Sequence, residues 1–104
     1  MKYLQVTMPD KSLWEMPAYL IAQARAIALA RHDTQQENGP AFYEVYKQEV
    51  EVGMADEYEL IDWASDNLSF QDVDHALVQV QSGKPVDYAK GWTNGRKRVV
   101  ERDE

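Results

Sequence analysis

The chain contains no cysteine in its 104 residues. That removes a disulfide framework, a thiolate nucleophile, a Cys-based zinc site and an iron–sulfur cluster from consideration. Proline and glycine are sparse, at four and five copies, so collagen-like and Pro/Gly-rich low-complexity chains are excluded. No apolar run approaches the ~20 residues that a membrane-spanning helix takes. The most apolar stretch, Ala18 to Ala30, is broken by Gln23 and Arg25. The first ten residues hold no continuous apolar segment and no cleavage pattern, so no signal peptide is expected. Positive charge is short as well: eleven Lys and Arg face eighteen Asp and Glu, for a formal charge of −7. A generally basic nucleic-acid binder is excluded on that balance. The expected location is the cytoplasm.

What remains is ordinary globular composition, 44% hydrophobic and 28% charged. A chain of this length buries roughly 60–70% of its unfolded surface, enough for one core without a staple. One compact domain over residues 1–104 is expected, with the tail from 101 to 104 frayed. Residues 2–8 alternate, with Leu4, Val6 and Met8 on one side, which is the period of a half-buried strand. Pro17 suits the first turn of a helix, because its missing N–H would be unpaired there anyway. Ala and Leu then carry a helix from Ala18 to about Arg31, with Leu20, Ala24, Ile27, Ala28 and Arg31 as one stripe that Ile21, Ala22 and Leu29 widen.

Asn38-Gly39-Pro40 signals a loop and a new start. Phe42, Val45, Tyr46 and Val50 predict a helix over 40–52, which Gly53 either ends or bends into the next segment. Tyr58, Ile61, Ala64 and Leu68 give a third apolar stripe behind Asp56-Glu57, where helix-start acids are favoured. Ser69 and Asp72 resemble a capping box opening a short helix over 70–76, followed by a strand after 77 and a turn at 82–85. Asn94-Gly95, between Gly91-Trp92-Thr93 and Arg96–Val100, is the strongest hairpin signal. The expected fold is therefore α+β: an N-terminal strand, three to four central helices, and a C-terminal β-hairpin or small antiparallel sheet.

The acidity is concentrated. Residues 37–83 hold eleven acids against Lys47 alone, a net charge of −10. On a helix, Glu59, Asp62 and Asp66 share a face and repel by a few tenths of a kcal/mol per pair. Such a surface either keeps the protein soluble or meets a basic partner, in the second case by imitating a phosphate backbone. The candidate partner-binding residues are Glu57, Glu59, Asp62, Asp66 and Trp63. Trp14, Trp63 and Trp92 all suit core anchoring, whereas an aromatic exposed beside the acids would mark a binding hot spot.

Catalytic signals are weak. An EF-hand loop started at Asp62 fails at its third, sixth and twelfth positions, which are Ala64, Asn67 and Val73. Asp72, Asp74 and His75 lack a second histidine at helical spacing, so neither a metal nor any other cofactor is expected. Ser65, Ser69 and Ser82 sit in no nucleophile elbow, and the glycines form no phosphate-cradling loop. A carboxylate-metal enzyme is thus the least favoured reading, and a non-enzymatic role is expected. The alternative is a self-assembling or nucleic-acid-binding protein. In it Arg96 and Arg98 contact phosphate on one strand face while Trp92 stacks on a base.

The segment from Tyr58 to Val73 resembles an ELIDWxxxNxxxxDV stretch of small uncharacterised proteins from marine cyanophages and ocean metagenomes. The helix Ala18–Asp33 and the ending Gly91-Trp92-Thr93-Asn94-Gly95 are similar in style to those proteins. The resemblance carries no catalytic motif. It implies an accessory protein acting in the host cytoplasm by binding and diverting a host protein.

Overall fold

The computed structural model describes residues 1–82 and 88–102. Period-two alternation gives strand β1 (Lys2–Thr7) two distinct faces. Its partner β2 (Leu13–Pro17) runs antiparallel with Leu4 opposite Met16 and Val6 opposite Trp14, so all four side chains face one way. Asp10 shapes the turn between them. Its Oδ1 accepts from the Ser12 N–H at 2.9 Å and the Ser12 hydroxyl at 2.6 Å. Strand β2 is absent from the sequence expectation, because Pro17 there belongs to a helix. In the structure Pro17 ends β2, and its φ of −57° leads straight into α1 (Ala18–Thr34).

Helix α1 is followed by α2 (Pro40–Ala55), α3 (Glu57–Asn67) and the single turn α4 (Phe70–Val73). Strand β3 (Val78–Gln81) returns beside β2, helix α5 (Tyr88–Asn94) follows, and β4 (Arg96–Glu101) pairs with β1. The sheet order is β3-β2-β1-β4, with every pair antiparallel. One core cluster joins Leu4, Val6 and Met16 of the sheet to Ile21, Leu60, Val73 and Trp92 of the helical layer. Among the described residues the other sheet face carries no helices. The fold is α+β, in the small-sheet form of the expectation.

Several local expectations are corrected. The buried lane of α1 is Ala18, Ile21, Ala22, Arg25, Ala26 and Ala30, and Leu20 is left 40% exposed. The four alanines at i, i+4 spacing let α2 approach closely, which outweighs the larger transfer gain of burying Leu20. Gly53 neither ends nor bends the helix. It lies buried inside α2, where a Cβ would come 3.5 Å from the Ala22 Cβ and 3.3 Å from Leu60. Helices α2 and α3 are separate elements, broken at the extended Asp56. The helix begun by Ser69 stops at Val73, although its capping box forms as expected.

No C-terminal hairpin forms. Gly91-Trp92-Thr93 is helical, and β4 finds its partner in β1 at the other end of the sequence, Arg96 opposite Thr7 and Glu101 opposite Lys2. At the C-terminal end of β4 Glu101 pairs with Lys2, and the Arg102 N–H donates to the Met1 carbonyl at 2.9 Å. The expected turn at 82–85 falls largely outside the described residues.

Candidate functional site: an acidic face with an exposed tyrosine

Helix α3 begins where Asp56, extended at φ −126° and ψ 98°, accepts the Glu59 N–H on its Oδ1 at 3.1 Å. Glu57 and Glu59 occupy the first turn, where unpaired N–H groups favour negative charge by about 0.3–1 kcal/mol each. Leu60 and Ala64 are buried against the core, which turns Tyr58, Asp62 and Asp66 outward. Part of the segment's acidity thus serves the helix start.

Two of its acids are neutralised from below. The buried Arg25 guanidinium pairs with Glu49 at 2.9 Å and Glu59 at 3.1 Å, and it also donates to the Glu49 carbonyl. Glu59 is therefore a structural partner first. Asp72 is similarly engaged, accepting from the backbone and hydroxyl of Ser69, which hold its carboxyl below the usual carboxylate range. The ion pairs of the described residues leave out Glu57, Asp62 and Asp66. Trp63 is half-buried and packs against the core cluster, so it belongs to the inner side of α3. The exposed aromatic is Tyr58 instead, at 81%. Sequence periodicity assigns it to the apolar stripe. The available signal was its position directly behind Asp56-Glu57, in the first turn, where a side chain projects past the core.

The basic strand faces a different environment. Arg96 and Arg98 do lie on one face of β4 and Lys97 on the other, as alternation requires. Trp92, by contrast, is 1% exposed, and its Nε1–H donates to the Leu68 carbonyl at 2.8 Å. The Lys97 ammonium sits 4.7 Å from the Trp92 ring centroid, and burial pushes its pKa down. Trp92 therefore cannot stack on a base while the domain is folded, which removes the platform of the nucleic-acid reading. Tyr58 and Glu57 form one wall of a groove of about 500 Å³ whose other wall is β4.

No family model, curated protein or solved structure matches the chain. The site has to be read from its own chemistry. Among the described residues no three His, Asp or Glu side chains are grouped so as to hold a metal ion, and no helix is long and apolar enough to cross a membrane.

On the helix-free sheet face lies a polar network that sequence reading missed. Glu15 is 4% exposed and accepts from Gln5 at 2.6 Å and from Arg102 Nε at 2.9 Å, with a second Arg102 nitrogen on its Oε2. Arg98 donates to Gln5 at 2.7 Å. The Arg102 hydrogen bond holds the Glu15 carboxyl below its ordinary 4.5, helped by Gln5 and Arg98 and opposed by burial. A carboxyl whose pKa is depressed by folding stabilises the fold above its unfolded pKa. That stabilisation fades as the pH falls through the folded value. Glu15→Gln should cost about 1.5–3 kcal/mol at pH 7, the range for a hydrogen bond to a charged group. Urea titrations should show the gap from the parent chain closing as the pH drops below 4.5. A gap that persisted undiminished in acid would mean that the charge on Glu15 is not what holds the network.

Proposed function

We propose that the chain is a non-enzymatic protein-binding module that engages a basic surface through α3. Tyr58 is the anchor, and Glu57, Asp62 and Asp66 are its charged surround. The observation that supports this most is the 81% exposure of Tyr58 on the outward side of a helix where Glu57, Asp62 and Asp66 take part in no ion pair among the described residues. An exposed aromatic and repelling acids contribute little to folding. Both suit recognition, since a tyrosine ring stacks on an arginine or lysine while the carboxylates pair with its neighbours. Where the partner binds nucleic acid, the clustered carboxylates would occupy a groove meant for phosphates. We take the partner to be a host protein in the cytoplasm, as the resemblance to cyanophage proteins suggests.

Binding of an immobilised arginine-rich peptide, used as a minimal basic surface, tests this reading. Tyr58→Ala should weaken it about tenfold, the loss typical of a moderate hot spot. Asp62→Asn combined with Asp66→Asn should weaken it several-fold. Affinity should fall as salt rises, because exposed charges are screened beyond about 8–10 Å near physiological ionic strength. All variants should melt close to the parent chain, since the replaced groups are exposed. Salt-independent binding, or full binding by the Tyr58 variant, would remove the proposed site.

A further inference from the structure

The two edges of the sheet are unlike each other. Edge strand β4 carries Arg96, Lys97, Arg98 and Glu101, charges that discourage another chain from adding to it. Edge strand β3 reads Val-Gln-Val-Gln, with all four residues exposed. Val78 and Val80 are 63% and 48% exposed, and both line an apolar concavity of about 570 Å³ on the helix-free face, with Pro17 and Leu20. From Ala76 to Gly83 the chain holds no charged residue, although 28% of the whole is charged. Two copies of net charge −7 repel each other, chiefly through the acids of residues 37–83. Along β3 that repulsion has no local source.

We infer that β3 is the docking edge for a second copy of this chain, forming a two-fold dimer with one continuous eight-stranded sheet. The strand is self-complementary. Against β2 the strand is irregular, Trp14 pairing with Gln79 and Leu13 with Gln81 so that Val80 has no opposite residue. On the free edge, with the two-fold axis at Gln79, antiparallel pairing sets Val78 opposite Val80 of the second copy and Val80 opposite its Val78. Residues directly opposite share a face, so the four valines merge into one apolar row on the helix-free side. Gln79 faces its own counterpart on the other side, where two amides hydrogen-bond without any charge to compensate. The outer backbone groups of β3 have no strand partner among the described residues, and this pairing satisfies them.

Sedimentation of the full chain from about 5 to 500 µM tests the dimer, since a short strand-to-strand contact belongs to the small, weak class of interfaces. The average mass should climb from the monomer value of 12.0 kDa towards twice that. Val80→Lys should raise the dissociation constant at least tenfold while leaving the circular dichroism unchanged. Mixing Val80→Lys with Val78→Glu should restore association, because positions 80 and 78 of opposite copies face each other. Tyr58→Ala should dimerise like the parent chain, which separates this surface from the one on α3. A parent chain that stays monomeric at the highest concentration would overturn the inference. So would a Val80→Lys variant that associates normally, or loss of association in the Tyr58 variant.

Discussion

Trp92→Ala is expected to lower the unfolding free energy by about 3–5 kcal/mol, the range for truncating a buried aromatic to alanine. Trp92 is 1% exposed and closes the core between Leu68 and Lys97. Its removal leaves a cavity, an unmet Leu68 carbonyl and a half-buried ammonium without its ring. For a domain of this size the midpoint of thermal unfolding should fall by more than about 10 °C. Trp92→Phe keeps most of the volume and loses the 2.8 Å hydrogen bond, so it should cost only about 1–2 kcal/mol. Urea melts of the two variants, read by circular dichroism, check both figures. A Trp92→Ala variant within 1 kcal/mol of the parent would mean that the ring is not a core anchor. The nucleic-acid alternative would then regain its stacking platform.

Gly95→Ala should be nearly as damaging, by about 3 kcal/mol or more, at the upper end of what forced overpacking costs. A Cβ at this position would lie 2.5 Å from the Thr7 carbonyl oxygen and 3.0 Å from Val6 Cγ2, and closer still to the Gly91 carbonyl oxygen. Two of these neighbours are backbone, so relief requires the start of β4 to move away from β1, where Arg96 pairs with Thr7. Gly91→Ala is the matched control. Its new methyl meets chiefly the buried Met8 thioether, with Pro9 Cδ at 3.1 Å, so a side chain rather than backbone has to give way. A mid-helix alanine also regains about 1 kcal/mol of helix propensity. It should therefore cost clearly less than Gly95→Ala, about 1–2 kcal/mol at most. Equal losses from the two substitutions would show that the β1–β4 junction is less tight than its geometry implies.

The same glycine shows how far local signals carry. Asn94-Gly95 reads as a hairpin turn because that dipeptide tolerates positive φ. The observed need for glycine is steric: the end of α5 descends onto the end of β1. No local pattern encodes that contact, since Thr7 and Gly95 are remote in sequence. The elements with strong periodicity were legible: β1 from its alternation, α1 from its Ala and Leu content, α4 from the Ser69–Asp72 box. Leu20 and Tyr58 were not, because a helix rich in apolar residues offers several faces and only its neighbours select one. The acidic surface was legible in composition. Its division into Glu49 and Glu59, held by the buried Arg25, and Glu57, Asp62 and Asp66, outside the ion pairs of the described residues, was not.

By itself the sequence determined an α+β chain with an acidic centre and strands towards both ends, because periodicity, helix propensity and charge act over a few residues at a time. Tertiary structure alone decided that β4 joins β1, that Trp92 is sealed inside, that Glu15 is held by Arg102, and that Tyr58 stands in solvent. Each of those outcomes depends on which distant surfaces meet, and the meeting is governed by the fit of small residues such as Ala22, Gly53 and Gly95.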